Sequence, residues 1–195
     1  MQKKEAAIKW KSYGKAALLI IDVQKGAIET YSKHKRITPK IKKIADCFRE
    51  LKFPVIHTLY VKPKTKRRWT PVDRILNRKE FLQGSKSAEE VDGLKKKSDF
   101  IIKKKHFSAF YKTNLEKLLK KKKVKTLVIT GLLTHWCVYM TALDALQRNY
   151  QVVIVKDAVS SHREKIHELL MRQTFKNSVG EIINSEAIIK KMKRA

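Results

Sequence analysis

"LVITGLLTHWCVYMTALDAL", residues 127–146, changes character halfway along. Leu127 to Thr130 form a short apolar run, and Gly131 interrupts it. After Thr134 the apolar residues fall at Val138, Ala142, Ala145 and Leu146, which is helical spacing. The stretch predicts a buried strand, a tight turn and a helix. Cys137 then lies in the first turn of that helix, in a chain with only two cysteines.

The same alternation extends in both directions. "AALLII" at 16–21 reads as a buried strand ending at Asp22. "TPKIKKIADCFREL" places Ile41, Ile44, Phe48 and Leu51 on one face of a helix, with Cys47 beside the stripe as a packing residue. "FPVIHTLYV" and "SDFIIKKK" predict two more strands. Thr113 and Glu116 have capping-box spacing ahead of a helix, as do Ser161 and Glu164. "QVVIV" at 151–155 and a short run around Val179 to Ile183 complete the strands, and a final helix follows. Strands alternating with helices imply a mostly parallel sheet of about six strands, covered by helices on both faces. The expected class is a three-layer α/β/α sandwich. Residues 1–14 read as a basic N-terminal extension and 15–195 as a single domain. The charged, poorly patterned stretch from Lys62 to Lys97 is a candidate pocket wall, with one short helix near Pro71 to Phe81.

Composition bounds the function. Hydrophobic residues make up 43% of 195, enough for one sizeable core. No apolar run approaches the roughly 20 residues that span a bilayer, and "MQKKEAAIKWKSYG" lacks the apolar stretch of a secretory signal. The expected location is cytoplasmic, with Cys47 and Cys137 as free thiols. The net charge is +28, from 46 Lys plus Arg against 18 Asp plus Glu. The basic residues are spread along the chain without zinc-finger spacing or an RNA-binding aromatic motif. They imply weak, nonspecific nucleic-acid binding rather than specific readout.

In a parallel sheet, ligands bind beyond the carboxyl ends of the strands, where strand order reverses. Three candidates follow strands: Asp22, the lysines at 103–105, and Gly131 to Cys137. A thiol in the first turn of a helix meets unpaired N–H groups and the positive end of the dipole, which lower its pKa. Cys137 is therefore either a reactive thiol or a small buried hydrophobe. Asp22 ends a wholly apolar strand, where a carboxylate needs a partner or a task, although a turn or cap role also fits. "IIDVQKGA" lacks the glycine-rich turn of a dinucleotide site. Gln24 stands where an aspartyl-nucleophile phosphatase usually has a second Asp.

Together these segments resemble the isochorismatase-like cysteine hydrolases, the superfamily that includes nicotinamidases, N-carbamoylsarcosine amidohydrolases and ureidoacrylate amidohydrolases. "ALLIIDVQ" looks like the family's opening strand with its catalytic Asp, and "KKHFSAF" is similar to its Lys-x-x-Tyr-Ser-Ala-Phe segment. "GLLTHWCVYMTALDAL" looks like its Gly-x-x-Thr-x-x-Cys-Val motif, and "YQVVIVKDAVSS" like the next strand and its Asp-Ala turn. The resemblance runs in order from about Lys15 to Ile189. It implies Asp22 as general base, Lys104 as catalytic lysine and Cys137 as nucleophile, with Lys103 and Lys105 leaving the lysine open by one position. It also implies a cis peptide between Leu132 and Leu133, and an oxyanion hole from the N–H groups of Leu133 and Cys137.

The isochorismatases proper cleave a vinyl ether, some without a cysteine, so Cys137 favours amide-type chemistry on a small-molecule substrate. Nicotinamidases hold a metal through an Asp-x-His cluster after the second strand. This chain has "HTLYVKPK" there, so no metal or other cofactor is expected, with His57 a packed or hydrogen-bonded core residue. Ala27 replaces a frequent aromatic and opens the pocket. Gln24, Trp69 and Phe110, with Arg67 and Arg68, are candidate pocket elements, and Trp136 is expected to pack against a helix or a partner subunit. The family usually forms homo-oligomers, and one is expected here. The competing reading is a nucleic-acid or anionic-surface binding protein on a hydrolase fold, with the triad unused.

Overall fold

A computed structural model describes residues 8–30 and 32–194. Its centre is a six-stranded sheet in the order β3-β2-β1-β4-β5-β6. The strands are β1 (Ala16–Ile21), β2 (Val55–Tyr60), β3 (Phe100–Lys104), β4 (Thr126–Leu132), β5 (Gln151–Ser160) and β6 (Glu181–Ile183). Every pairing is parallel. β1, β4 and most of β5 are apolar and buried on both faces, as strands in a covered parallel sheet must be.

Period-two alternation divides the core. Ala17, Leu19 and Ile21 face one layer, with Leu127, Ile129, Val138 and Ala142. Ala16, Leu18 and Ile20 face the other, with Ile41, Ile44, Phe48 and Ile188. The first layer holds α4 (Leu115–Lys121) and α5 (Tyr139–Gln147), and the second holds α2 (Thr38–Glu50) and α7 (Ser185–Met192). The short helices α1 (Lys25–Thr30), α3 (Pro71–Leu76) and α6 (Glu164–Leu169) lie in the connections. The three-layer expectation holds, with the whole sheet parallel.

Some local readings need correction. β4 does not stop at Thr130 but runs through Gly131 to Leu132. Gly131 adopts φ +106°, and a Cβ there would lie 2.1 Å from the Ile21 carbonyl oxygen, so only glycine lets the two strand ends approach. β5 is twice the expected length, because after a register shift beside Gly131 it resumes pairing with β4. Neither capping box forms. Thr113 Oγ1 accepts from the Leu115 N–H while Glu116 pairs with Lys120 and Arg148. Ser161 Oγ accepts from the Arg163 N–H and bonds His135, leaving Glu164 outside the motif.

Of the basic N-terminal segment, residues 1–7 lie outside the described residues. The rest is docked: Trp10 donates to Glu181 and to the Val152 carbonyl, and Tyr13 is buried.

Candidate active site

Strand order reverses between β1 and β4, since β1 continues to β2 on one side and β4 to β5 on the other. The carboxyl ends of these strands carry Asp22 and the Leu132–Cys137 turn, and β3 ends at Lys104.

Alternation along β3 selects one lysine from three. Ile102 and Lys104 turn inward and are buried, whereas Ile101, Lys103 and Lys105 are exposed. Lys104 is 2% exposed, which for an ammonium requires compensating charge. Its Nζ lies 2.6 Å from Asp22 Oδ2 and donates to Cys137 Sγ at 3.2 Å and to the His106 carbonyl at 3.1 Å. The Tyr60 ring flanks it, with the centroid 5.1 Å from Nζ. Burial is the largest influence on Lys104 and opposes its charge, but Asp22 and Cys137 outweigh it and raise its pKa.

Asp22 sits at φ +49°, a left-handed conformation that Asp tolerates better than most residues. Thr58 holds it there: its hydroxyl donates to Oδ1 at 2.7 Å, and its carbonyl accepts from the Asp22 N–H at 3.1 Å. The carboxylate is thus anchored by one oxygen while the other meets the lysine.

Cys137 lies in a π-helical turn, Thr134–Val138, that precedes α5. The Leu133 carbonyl accepts from both Trp136 and Val138, and the Leu132–Leu133 peptide is cis, as the resemblance implied. The lowered thiol pKa expected from the helix terminus does not hold. Burial pushes the Cys137 thiol up; Lys104 pulls it down and the Asp22 carboxylate adds to the rise, leaving it well above an ordinary cysteine. The helix end is enclosed, so desolvation of a thiolate outweighs the dipole.

Asp22 and Cys137 open onto a cavity of about 120 Å³ between the strand ends and the 62–81 segment. Asp22, Cys137, Leu132 and Leu133 form its floor, while Ala27, Val72, Leu76, Phe81, Phe107 and Trp136 supply apolar walls. The poorly patterned stretch after β2 does provide a wall. Ser108 donates to Asp144 and Ala109 to Thr141, which fastens the 105–110 loop to α5 and brings Phe107 parallel to Trp136, centroids 5.5 Å apart.

The expected pocket set is partly redrawn. Gln24 lines the cavity, but its amide is committed: Nε2 donates to the Tyr60 and Ala88 carbonyls and Oε1 accepts from the Tyr60 N–H. Trp69 lies behind the wall, donating to the Pro63 carbonyl and stacking under Lys62. Phe110 belongs to the core, beside Tyr150 and the Arg148 guanidinium. Arg67 and Arg68 are not among the lining residues. Trp136, expected to pack elsewhere, lines the cavity. Sequence reading missed Lys62, Asp73 and Glu80; the signal available for Lys62 was its position just past the end of β2.

The residues in and just after β2 do not fit a metal. His57 is buried and its nitrogens meet Glu90 and Asp99, and Asp99 also pairs with Arg49 at 2.6 Å. The Tyr60 hydroxyl donates to Asp73 at 2.7 Å. Among the described residues no group of three or more His, Cys, Asp or Glu is placed to hold a metal, and no helix is long and apolar enough to cross a membrane.

The isochorismatase domain family model matches residues 16–187. The secreted isochorismatase effector of Verticillium dahliae is 32% identical over 148 residues, covering 74% of this chain and 72% of that protein. The N-carbamoylsarcosine amidase of Thermoplasma acidophilum superposes with a TM-score of 0.79 at 26% identity, covering 88% of this chain and 97% of that one. A cysteine hydrolase of Pseudomonas syringae superposes with a TM-score of 0.91 over 98% of this chain and 99% of that one, at 18% identity, a likeness of fold alone.

Proposed function

The chain belongs to the isochorismatase domain family, and from that premise we propose that it is a cysteine hydrolase that cleaves a C–N bond in a small amide, ureide or carbamoyl compound. One observation carries this reading: a buried lysine touches both a carboxylate and a thiol at the floor of a mostly apolar cavity.

The raised thiol pKa suits the mechanism. Losing the proton to solvent would leave two anions around one ammonium in a desolvated site. Passing it to Asp22 keeps the net charge constant, because the negative charge moves from one neighbour of Lys104 to the other. The thiolate thus forms only as Asp22 accepts the proton. Cys137 Sγ attacks the carbonyl carbon, and the resulting oxyanion is held by the N–H groups of Leu133 and Cys137. Asp22 returns the proton to the leaving nitrogen as the C–N bond breaks, giving a thioester. Water, deprotonated by Asp22, then attacks the thioester and frees the acid and the thiol.

A hydrolysis screen over small amides, ureides and carbamoyl compounds, with Cys137→Ala as control, tests the reading. Turnover by the wild type with a thioester adduct on Cys137 in intact-protein mass spectra is the expected result. Turnover that survives in Cys137→Ala would refute it. Because the residues in and just after β2 do not fit a metal, activity is expected to survive exhaustive EDTA dialysis unchanged. Loss on chelation with recovery on adding one divalent metal would show that the protein holds a catalytic metal.

A further inference from the structure

Lys62 stands just past the end of β2 and lines the same cavity as Cys137. It is 3% exposed. Its backbone is fixed by two hydrogen bonds to the 81–83 segment: its N–H donates to the Phe81 carbonyl and its carbonyl accepts from Gln83. Nζ donates to the Arg78 carbonyl and lies 4.7 Å from the centroid of the Trp69 ring. An ammonium has three protons to donate, and among the described residues Lys62 Nζ makes a single hydrogen bond and no ion pair. The carboxylate of Asp73 is already engaged by the Tyr60 and Thr70 hydroxyls. Glu80 lies on the same wall, and its charge reaches Lys62 without forming an ion pair.

A buried ammonium that has no carboxylate in contact, and only the longer-range charge of Asp73 and Glu80 to offset its burial, is costly unless a ligand completes it. Lys104 is different, because Asp22 neutralises it within the site. We infer that Lys62 is the substrate-anchoring residue of this cavity and that the substrate carries a carboxylate at the end remote from its scissile amide. This rests on the hydrolase reading above and specifies its substrate class. The apolar walls of the cavity that Lys62 and Cys137 both line would accommodate a short hydrocarbon spacer. Burial lowers the pKa of Lys62, while Asp73 and Glu80 counter that fall and favour the charged form.

The test uses two matched series: malonamate, succinamate and glutaramate, each an amide with a remote carboxylate, and the corresponding neutral diamides. Binding to Cys137→Ala protein is measured by calorimetry, so the result does not depend on turnover. At one spacer length or more, the carboxylate is expected to bind about 30-fold tighter than its diamide, the size of one charge-assisted hydrogen bond. Lys62→Met in the same background, which keeps the packing on Trp69, should erase that preference, so that the carboxylate binds no tighter than its diamide. Lys62→Gln, which retains a donor for the Arg78 carbonyl, should erase it equally. The inference is overturned if diamides bind as well as carboxylates at every length, or if the preference persists in either variant. Charge-selective binding with no wild-type hydrolysis of either series or of the wider screen would instead count against the hydrolase reading alone.

Discussion

Cys137→Ala is expected to abolish hydrolysis, by about 10⁴-fold or more, because every bond change in the proposed mechanism passes through Sγ. Asp22→Asn is expected to cost a similar amount. Asn keeps the shape, tolerates the left-handed conformation and can still accept from Thr58, but it cannot take the thiol proton. Both variants should retain the wild-type circular dichroism spectrum, since each replaces one small side chain by another of similar or lesser size and leaves the strands and helices around it in place. Alkylation provides a second readout. Burial and the Asp22 charge hold the proton on Cys137, so its thiolate fraction at pH 7 is small. Iodoacetamide should therefore modify Cys137 more slowly than an ordinary cysteine of pKa about 8.5, with the rate still rising above that pH. Rapid alkylation at pH 6 to 7 would mean a resting thiolate, and the coupled proton transfer to Asp22 would be wrong.

Where the sequence was legible, one physical pattern dominated. β1 and β4 are apolar on both faces, and only a covered parallel sheet accommodates such runs; their ends then locate Asp22 and Cys137. The cavity wall was harder to read. Apart from the short helix α3, residues 62–97 have no helical or strand period, and what they present depends on single hydrogen bonds such as those between Lys62 and the 81–83 segment. Trp69 and Phe110 are candidate pocket residues in the sequence. Each is instead committed to its own shell, Trp69 by the Pro63 carbonyl and Phe110 by Tyr150. The thiol pKa is not legible in sequence for a related reason. A helix terminus is visible in sequence, but the degree of burial that reverses its effect is not.

Lys104 is the remaining case, and its neighbours supply the controls. Lys104→Met should lower turnover by about 10³-fold or more, the scale seen when a charge stabilising a reacting group is removed. Lys103→Met and Lys105→Met should leave turnover within about twofold, since both side chains are exposed on the other face of β3. Stability gives a sharper distinction. Removing the ammonium leaves the Asp22 carboxylate buried opposite a methyl group, a change that typically costs about 3 to 5 kcal/mol. Adding Asp22→Asn removes that charge as well, so the double variant should recover most of the loss while staying inactive. Urea unfolding of the two single variants and the double variant measures the coupling directly. A double variant no more stable than Lys104→Met would mean that the two side chains do not act as a charge pair. Loss of turnover in Lys105→Met equal to that in Lys104→Met would place the working ammonium one residue further along the strand.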